Sequence, residues 1–141
     1  MLWALTASNY SQLVKDIYPG GTSGIPFSSD PSGLTNVNGT LFFTAHNGSQ
    51  GKELWKSDGT AAGTVRVAAS SASSIIDLTN VGGVLFFASA PSGSNSYELW
   101  KSDGTEAGTQ RIADIDYGSS MRDVDGVAWF KGTDAGGWEA W

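Results

Sequence analysis

Residues 53–64 read ELWKSDGTAAGT and residues 98–109 read ELWKSDGTEAGT, two stretches that differ at one position and start 45 residues apart. Ahead of each lies a second match, LTNVNGTLFF at 34–43 and LTNVGGVLFF at 78–87. A divergent third copy follows as MRDVDGVAWF at 121–130, and GGWEAW at 136–141 puts Glu139-Ala140-Trp141 where Glu-Leu-Trp is expected. The downstream part recurs as QLVKDI at 12–17, VRVAAS at 65–70 and QRIADI at 110–115. The chain therefore divides into repeats at approximately 12–55, 56–100 and 101–141, within one module spanning 1–141. Self-similarity at such a period is the mark of a repeat architecture.

Each unit reads as four short strands. In the first, Leu34–Val37 leads through Asn38-Gly39, a pair suited to a type I′ hairpin, into Thr40–Ala45. The continuous apolar run Leu41, Phe42, Phe43 implies burial on both faces, unlike the alternation of a half-wet sheet. Glu53–Ser57 is the third strand, and Asp58-Gly59 opens a Gly- and Ala-rich connection to the fourth, Val65–Ala69. No window sustains apolar residues at helical spacing. Small four-stranded sheets, apolar on both faces and repeated every 40–50 residues, are the signature of propeller blades. A β-solenoid has shorter rungs, and a β-sandwich rarely repeats its sequence. The expected fold is an all-β β-propeller of three four-stranded antiparallel blade repeats per chain.

The motif ELWKSDGTAAGT, with LTNVNGTLFF before it, resembles the bacterial ELWxxDGT repeat family, tandem repeats of large secreted or surface proteins. The likeness covers about residues 12–141. It implies a propeller-like β array in a secreted or cell-surface setting, and it brings no catalytic residues. The third copy departs from the pattern at Glu139-Ala140-Trp141, and Leu2-Trp3 is followed by ALTASNY in place of KSDGTAAGT.

Composition narrows the function. The chain has 141 residues, a net charge of −6 and 40% hydrophobic residues, enough for one domain with a core. Cysteine is absent, which excludes disulfides, thiolate metal sites and thiol nucleophiles, and a single histidine, His46, excludes a multi-histidine centre. Eight Lys and Arg against fourteen Asp and Glu argue against nucleic acid or anionic membrane as partners. The opening MLWALTASNYSQ lacks a basic region and a long apolar run, so no signal peptide is expected in this chain. The longest apolar run, VLFFA at 84–88, is far short of the roughly 20 residues of a membrane helix, so no membrane insertion is expected.

Candidate site residues come from the repeated positions. Trp55, Trp100 and Trp141 are equivalent, with Trp3 a fourth in kind, and one Trp per repeat can stack on sugar rings or fill the wedge between blades. Trp129 and Trp138 have no Trp at the matching positions and suit a cap or an interface. Glu53 and Glu98 are candidate ligand contacts beside those indoles, or structural acceptors pairing with Lys56 or Lys101. A glycosidase needs two carboxylates in different environments, so carboxylates recurring in every repeat argue against catalysis. The Asp58-Gly59 and Asp103-Gly104 pairs read as structural turns, since one carboxylate per loop falls short of a calcium site. Neither a G-x-S-x-G elbow nor a phosphate-binding loop is present.

The expected function is non-catalytic. A β-propeller binding or assembly module recognises carbohydrate on a secreted or cell-surface protein, or serves as a self-associating scaffold without a small-molecule ligand. No cofactor and no metal are expected. Three blades do not close a ring of about 4–8, whereas two copies make six. The expected partner is a second copy, a homodimer closing a six-bladed ring, with the Gln12–Ile17 strand of one copy completing the last blade of the other.

Overall fold

The computed structural model describes residues 1–5, 11–49, 51–67, 72–91, 94, 96–117, 121–134 and 137–140. Leu2–Leu5 (β1) and Ser11–Lys15 (β2) form an antiparallel pair, followed by a small ribbon of Gly21–Thr22 (β3) and Ile25–Pro26 (β4). Ser32–Val37 (β5), Thr40–Ala45 (β6), Glu53–Ser57 (β7) and Val65–Arg66 (β8) make a four-stranded sheet in chain order. Ala72–Val81 (β9), Val84–Pro91 (β10), Tyr97–Ser102 (β11) and Gln110–Tyr117 (β12) repeat that meander. Arg122–Val124 (β13) and Val127–Trp129 (β14) form a separate hairpin. Lys131–Asp134 (β15) and Gly137–Ala140 (β16) form another, which extends the second sheet through β12. The fold is all-β, with no helix among the described residues.

The repeat in sequence is a repeat in register. Phe42 faces Lys56 and Phe43 faces Trp55 across β6 and β7, and Phe86 faces Lys101 and Phe87 faces Trp100 across β10 and β11. The hairpin turns agree as well. Asn38-Gly39, Gly82-Gly83 and Asp125-Gly126 all have positive φ at both positions, the backbone that a type I′ turn demands. Each turn is closed by the side chain two residues ahead of it: Asn36, Asn80 and Asp123 accept the N–H of Gly39, Gly83 and Gly126 at 2.9, 3.0 and 2.9 Å.

Adjacent residues on a strand point to opposite faces, so Phe42 and Phe43 are buried on the two sides of one sheet. Phe42, Val37, Leu54 and Val67 pack against Ile75, Leu85 and Phe87 of the second sheet. Phe43, Ala45 and Trp55 pack on the other side against Leu2, Val14 and Ile17 of the β1–β2 region. The first strands of the two sheets are also stitched by hydrogen bonds. Thr35 Oγ1 donates to the Leu78 carbonyl at 3.0 Å, Asn80 Nδ2 to that of Asn36 at 2.9 Å, and Asn38 Nδ2 to that of Gly83 at 3.0 Å. Lys15 Nζ ties β2 to the first sheet by donating to the carbonyls of Thr64 and Ala61.

Only two of the three expected four-stranded repeats are formed by the described residues. The third contributes β13 and β14, and the segment expected as its third strand lies in β16 instead. The cause is β12, whose eight residues run past the end of β11 and leave Asp116 and Tyr117 free to pair with Thr133 and Gly132. The cuts near 55 and 100 fall inside β7 and β11, so the physical unit is the sheet from β5 to β8 and its copy from β9 to β12. Truncating Phe43 or Phe87 to Ala should cost about 3–5 kcal/mol in urea unfolding, as for other buried aromatics. Leu34→Ala, at an exposed position of β5, should change stability by under about 0.5 kcal/mol.

Candidate functional site

The Ser-Asp-Gly-Thr-x-Ala-Gly-Thr segment closes on itself through the same bonds in both repeats. Asp58 Oδ1 accepts the backbone N–H of Thr60 at 2.9 Å and its hydroxyl at 2.7 Å, and Asp103 Oδ1 does the same with Thr105 at 2.8 and 2.7 Å. The Thr60 and Thr105 hydroxyl oxygens in turn accept the N–H of Gly63 and Gly108, both at 2.9 Å. Thr64 and Thr109 donate back to the carbonyls of Thr60 and Thr105 at 2.6 Å, and share 2.7 Å bonds with Ser57 and Ser102. Ser57 and Ser102 also accept the N–H of Gly59 and Gly104 at 3.0 Å. Gly63 and Gly108 have to be glycine, because a Cβ at either would overlap the Asp58 or Asp103 carboxylate.

The Thr60 hydroxyl and N–H hold the Asp58 carboxyl below the usual carboxylate range, and Thr105 does so for Asp103, helped by the nearby Lys56 ammonium. Each carboxylate thus caps its own loop. No group of three or more His, Asp or Glu among the described residues is arranged to hold a metal ion.

Although the two turns are chemically alike, their surroundings differ. Gly104 is buried, and a Cβ there would stand 3.0 Å from Phe42 Cζ and 3.2 Å from Lys56 Cδ. Gly59 is exposed, and a Cβ there would meet nothing within 4 Å. The first sheet covers the turn of the second, but among the described residues nothing equivalent covers the turn of the first. Beside Gly59 lies an open pocket of about 210 Å³, lined by Leu2, Ala4, Val14, Leu41 and Asp58 among others.

The indole and carboxylate candidates lie two residues apart on one face of β7 and of β11. Glu53 Oε1 accepts from Arg66 Nη1 at 2.7 Å, and Glu98 Oε1 from Arg111 Nε at 2.8 Å. Their partners are thus the arginines of the following strand, and the expected pairing with Lys56 or Lys101 is replaced. Alternation explains it, since Lys56 lies on the face opposite Glu53. Arg111 also pairs with Asp114, and that carboxylate, followed by Glu98, raises its pKa further. Trp100 Nε1 donates to Glu98 Oε2 at 3.1 Å while its ring stacks on Phe87 with centroids 6.2 Å apart. In the first repeat Trp55 is buried in the core, and both Trp55 Nε1 and Glu53 Oε2 lack a partner among the described residues. Trp141 lies outside the described residues.

His46 is held locally, its Nδ1 accepting the Gly48 N–H at 3.0 Å and its ring 5.4 Å from that of Tyr18. Sequence reasoning missed the Asn36, Asn80 and Asp123 turn caps and the Glu–Arg pairs, although both recur at fixed offsets within the repeat. Among the described residues no helix is long and apolar enough to cross a membrane. No family model, curated protein or solved structure matches the chain.

Two outcomes follow from the turn chemistry. Gly63→Ala should destabilise the fold by about 1–3 kcal/mol through overpacking, and Asp58→Ala added to it should recover part of that loss. Because the folded-state pKa of Asp58 and Asp103 is depressed, their stabilising effect is complete above the unfolded-state value. It disappears as pH falls through the folded value. Melting temperature should therefore drop more steeply below about pH 4 in the native chain than in the Asp58→Asn/Asp103→Asn variant. At neutral pH, melting curves in millimolar calcium and in EDTA should coincide.

Proposed function

We propose that the chain is a non-catalytic module of β-propeller type whose work is assembly. Its sheets are the blades, and its partner is a second copy that completes a six-bladed ring on a secreted or cell-surface protein. One observation carries the reading: the same sheet-to-sheet contact recurs at successive steps along the chain. Asn38 bonds the turn at Gly83, and one repeat later Gly82 approaches Gly126, where an added Cβ would stand 3.7 Å from the next turn. The β13–β14 hairpin thus sits beside the second sheet as the second sheet sits beside the first. Such a series has a forward and a backward face at each sheet and continues until it meets itself or another copy.

A non-enzymatic role is supported by the carboxylates. Glu53 and Glu98 are each held by an arginine of the following strand, Arg66 and Arg111, at matching places on separate sheets and not paired with one another. The secreted or surface setting rests on the resemblance to bacterial ELWxxDGT repeats. Glycan recognition is the second reading, favoured by the Trp100–Glu98–Arg111 group, a part-exposed indole edged by a carboxylate and a guanidinium.

Light scattering at micromolar concentration should give twice 14.7 kDa, and a well-folded monomer would refute the assembly reading. On a glycan array an assembly module binds nothing. Binding lost in Trp100→Ala at unchanged melting temperature would establish the second reading instead.

A further inference from the structure

We propose that the β13–β14 hairpin of one copy adds to β1 of a second copy, and that Trp129 plugs the pocket beside the partner's Gly59. The inference deepens the assembly reading and rests on it. Among the described residues β1 pairs only with β2, and β14 only with β13. In repeat position β13 and β14 are first and second strands, whereas β1 and β2 are third and fourth. Joined edge to edge they give the order β13-β14-β1-β2, the same meander as β5-β6-β7-β8. The segment expected to compete with Leu2-Trp3 for the third-strand place is in β16, against β15, so that place is open to β1.

Side-chain sizes fit this register. In the intact sheets the pairs are Phe42 with Lys56 and Phe86 with Lys101, then Phe43 with Trp55 and Phe87 with Trp100. The composite sheet would pair Trp129 with Ala4 and Phe130 with Trp3. Where the phenylalanine has grown to tryptophan, the facing lysine has shrunk to alanine. The position of Phe42 over Gly104 shows where Trp129 would go: over Gly59, in the pocket floored by Leu2, Ala4 and Val14.

Exposure marks the same surfaces. Trp129 is 49% exposed where its equivalent Phe42 is 2%. Trp3 is 56% exposed where Trp55 is 8%, and Ile112 of the second sheet is 45% exposed where Val67 is 2%. Trp3 would cover the face bearing Ile112, as Trp100 covers the face bearing Leu54 and Val67. Lone exposed apolar side chains are ordinary, but here each one lies where an intact sheet buries its counterpart. The second copy is the occupant because the internal contact between the two repeat sheets already displays the same arrangement at the equivalent positions.

The test uses the 141-residue chain, which has no cysteine of its own. Equimolar Leu5→Cys and Ala128→Cys chains, mixed and oxidised, should give a 5–128 disulfide between copies in preference to 5–5 or 128–128 links, because these positions face each other in the proposed register. Trp129→Ala should raise the dimer dissociation constant on the order of 100-fold with unchanged circular dichroism, while Trp129→Phe stays within about tenfold. Gly59→Ala should weaken the dimer as well. A dimer that survives Trp129→Ala and Gly59→Ala undiminished, without the 5–128 link, would overturn this contact and leave the assembly reading standing. A 5–128 link formed within single chains of the double variant would show the hairpin closing on its own β1, which also overturns it. A monomer throughout defeats both.

Discussion

The rest of this structure depends on a constraint set by two adjacent phenylalanines. Phe42 and Phe43 follow one another on a strand and so must point to opposite faces, and both are buried. A sheet with one apolar face needs one neighbour, but a sheet with two needs a neighbour on each side. Phe86 and Phe87 impose the same demand on the second sheet. No arrangement of two such sheets satisfies it. The β1–β2 pair meets part of it by capping Phe43 and Trp55, and the β13–β14 hairpin lies along β9 at the other end. A stack of this kind keeps its order by lateral contact, and its stability is shared between each sheet and its interfaces.

The Ser-Asp-Gly-Thr turn makes that stack regular. Its internal bonds fix the shape of the connection after the third strand without help from any other part of the chain. The turn then serves as a rigid knob, and the Phe42–Lys56 pair of the preceding sheet is the seat it enters. Rigidity on one side and a large ring on the other set the spacing between sheets. Asp58 and Asp103 thereby influence packing at a distance, though each bonds only within its own loop. Backbone geometry is what passes between neighbours.

Much of this was legible in the sequence, and the reason is local determination. Asn38-Gly39 announces its hairpin because both residues tolerate positive φ, and the run Leu41–Phe43 announces two-sided burial. Asp58 and Asp103 could be read as caps because the donors they accept from lie two residues on. The Glu53–Arg66 and Glu98–Arg111 pairs were harder, since each spans thirteen residues and a strand crossing. Strand alternation could have excluded Lys56, and the matching spacing of the two arginines was available as a signal. The fate of the third copy was not legible. It turns on whether β15 prefers the free end of β12 to a place beside β14, a contest between remote edges that no local pattern records. For the candidate site, sequence could name Trp55 and Trp100 as equivalents but not foresee that one would be buried and the other half-exposed.

That last difference shows where identity of sequence stops determining identity of role. Glu53 and Glu98, Trp55 and Trp100, Arg66 and Arg111 are the same residues in the same register. Trp100 nevertheless bonds Glu98, while Trp55 is enclosed between its own sheet and Leu2, Val14 and Ile17. The neighbour makes the difference, because the first sheet is backed by the β1–β2 region and the second by the first sheet. The chain departs from the repeat at Ala4, where lysine stands elsewhere, at Trp129, where phenylalanine stands, and at Asp123, where asparagine stands. Asp123 keeps the turn cap that Asn36 and Asn80 make, but a carboxylate has no N–H with which to bond the preceding sheet as Asn80 does. Asp123 thus spares what closes its hairpin and gives up what joins one sheet to the next.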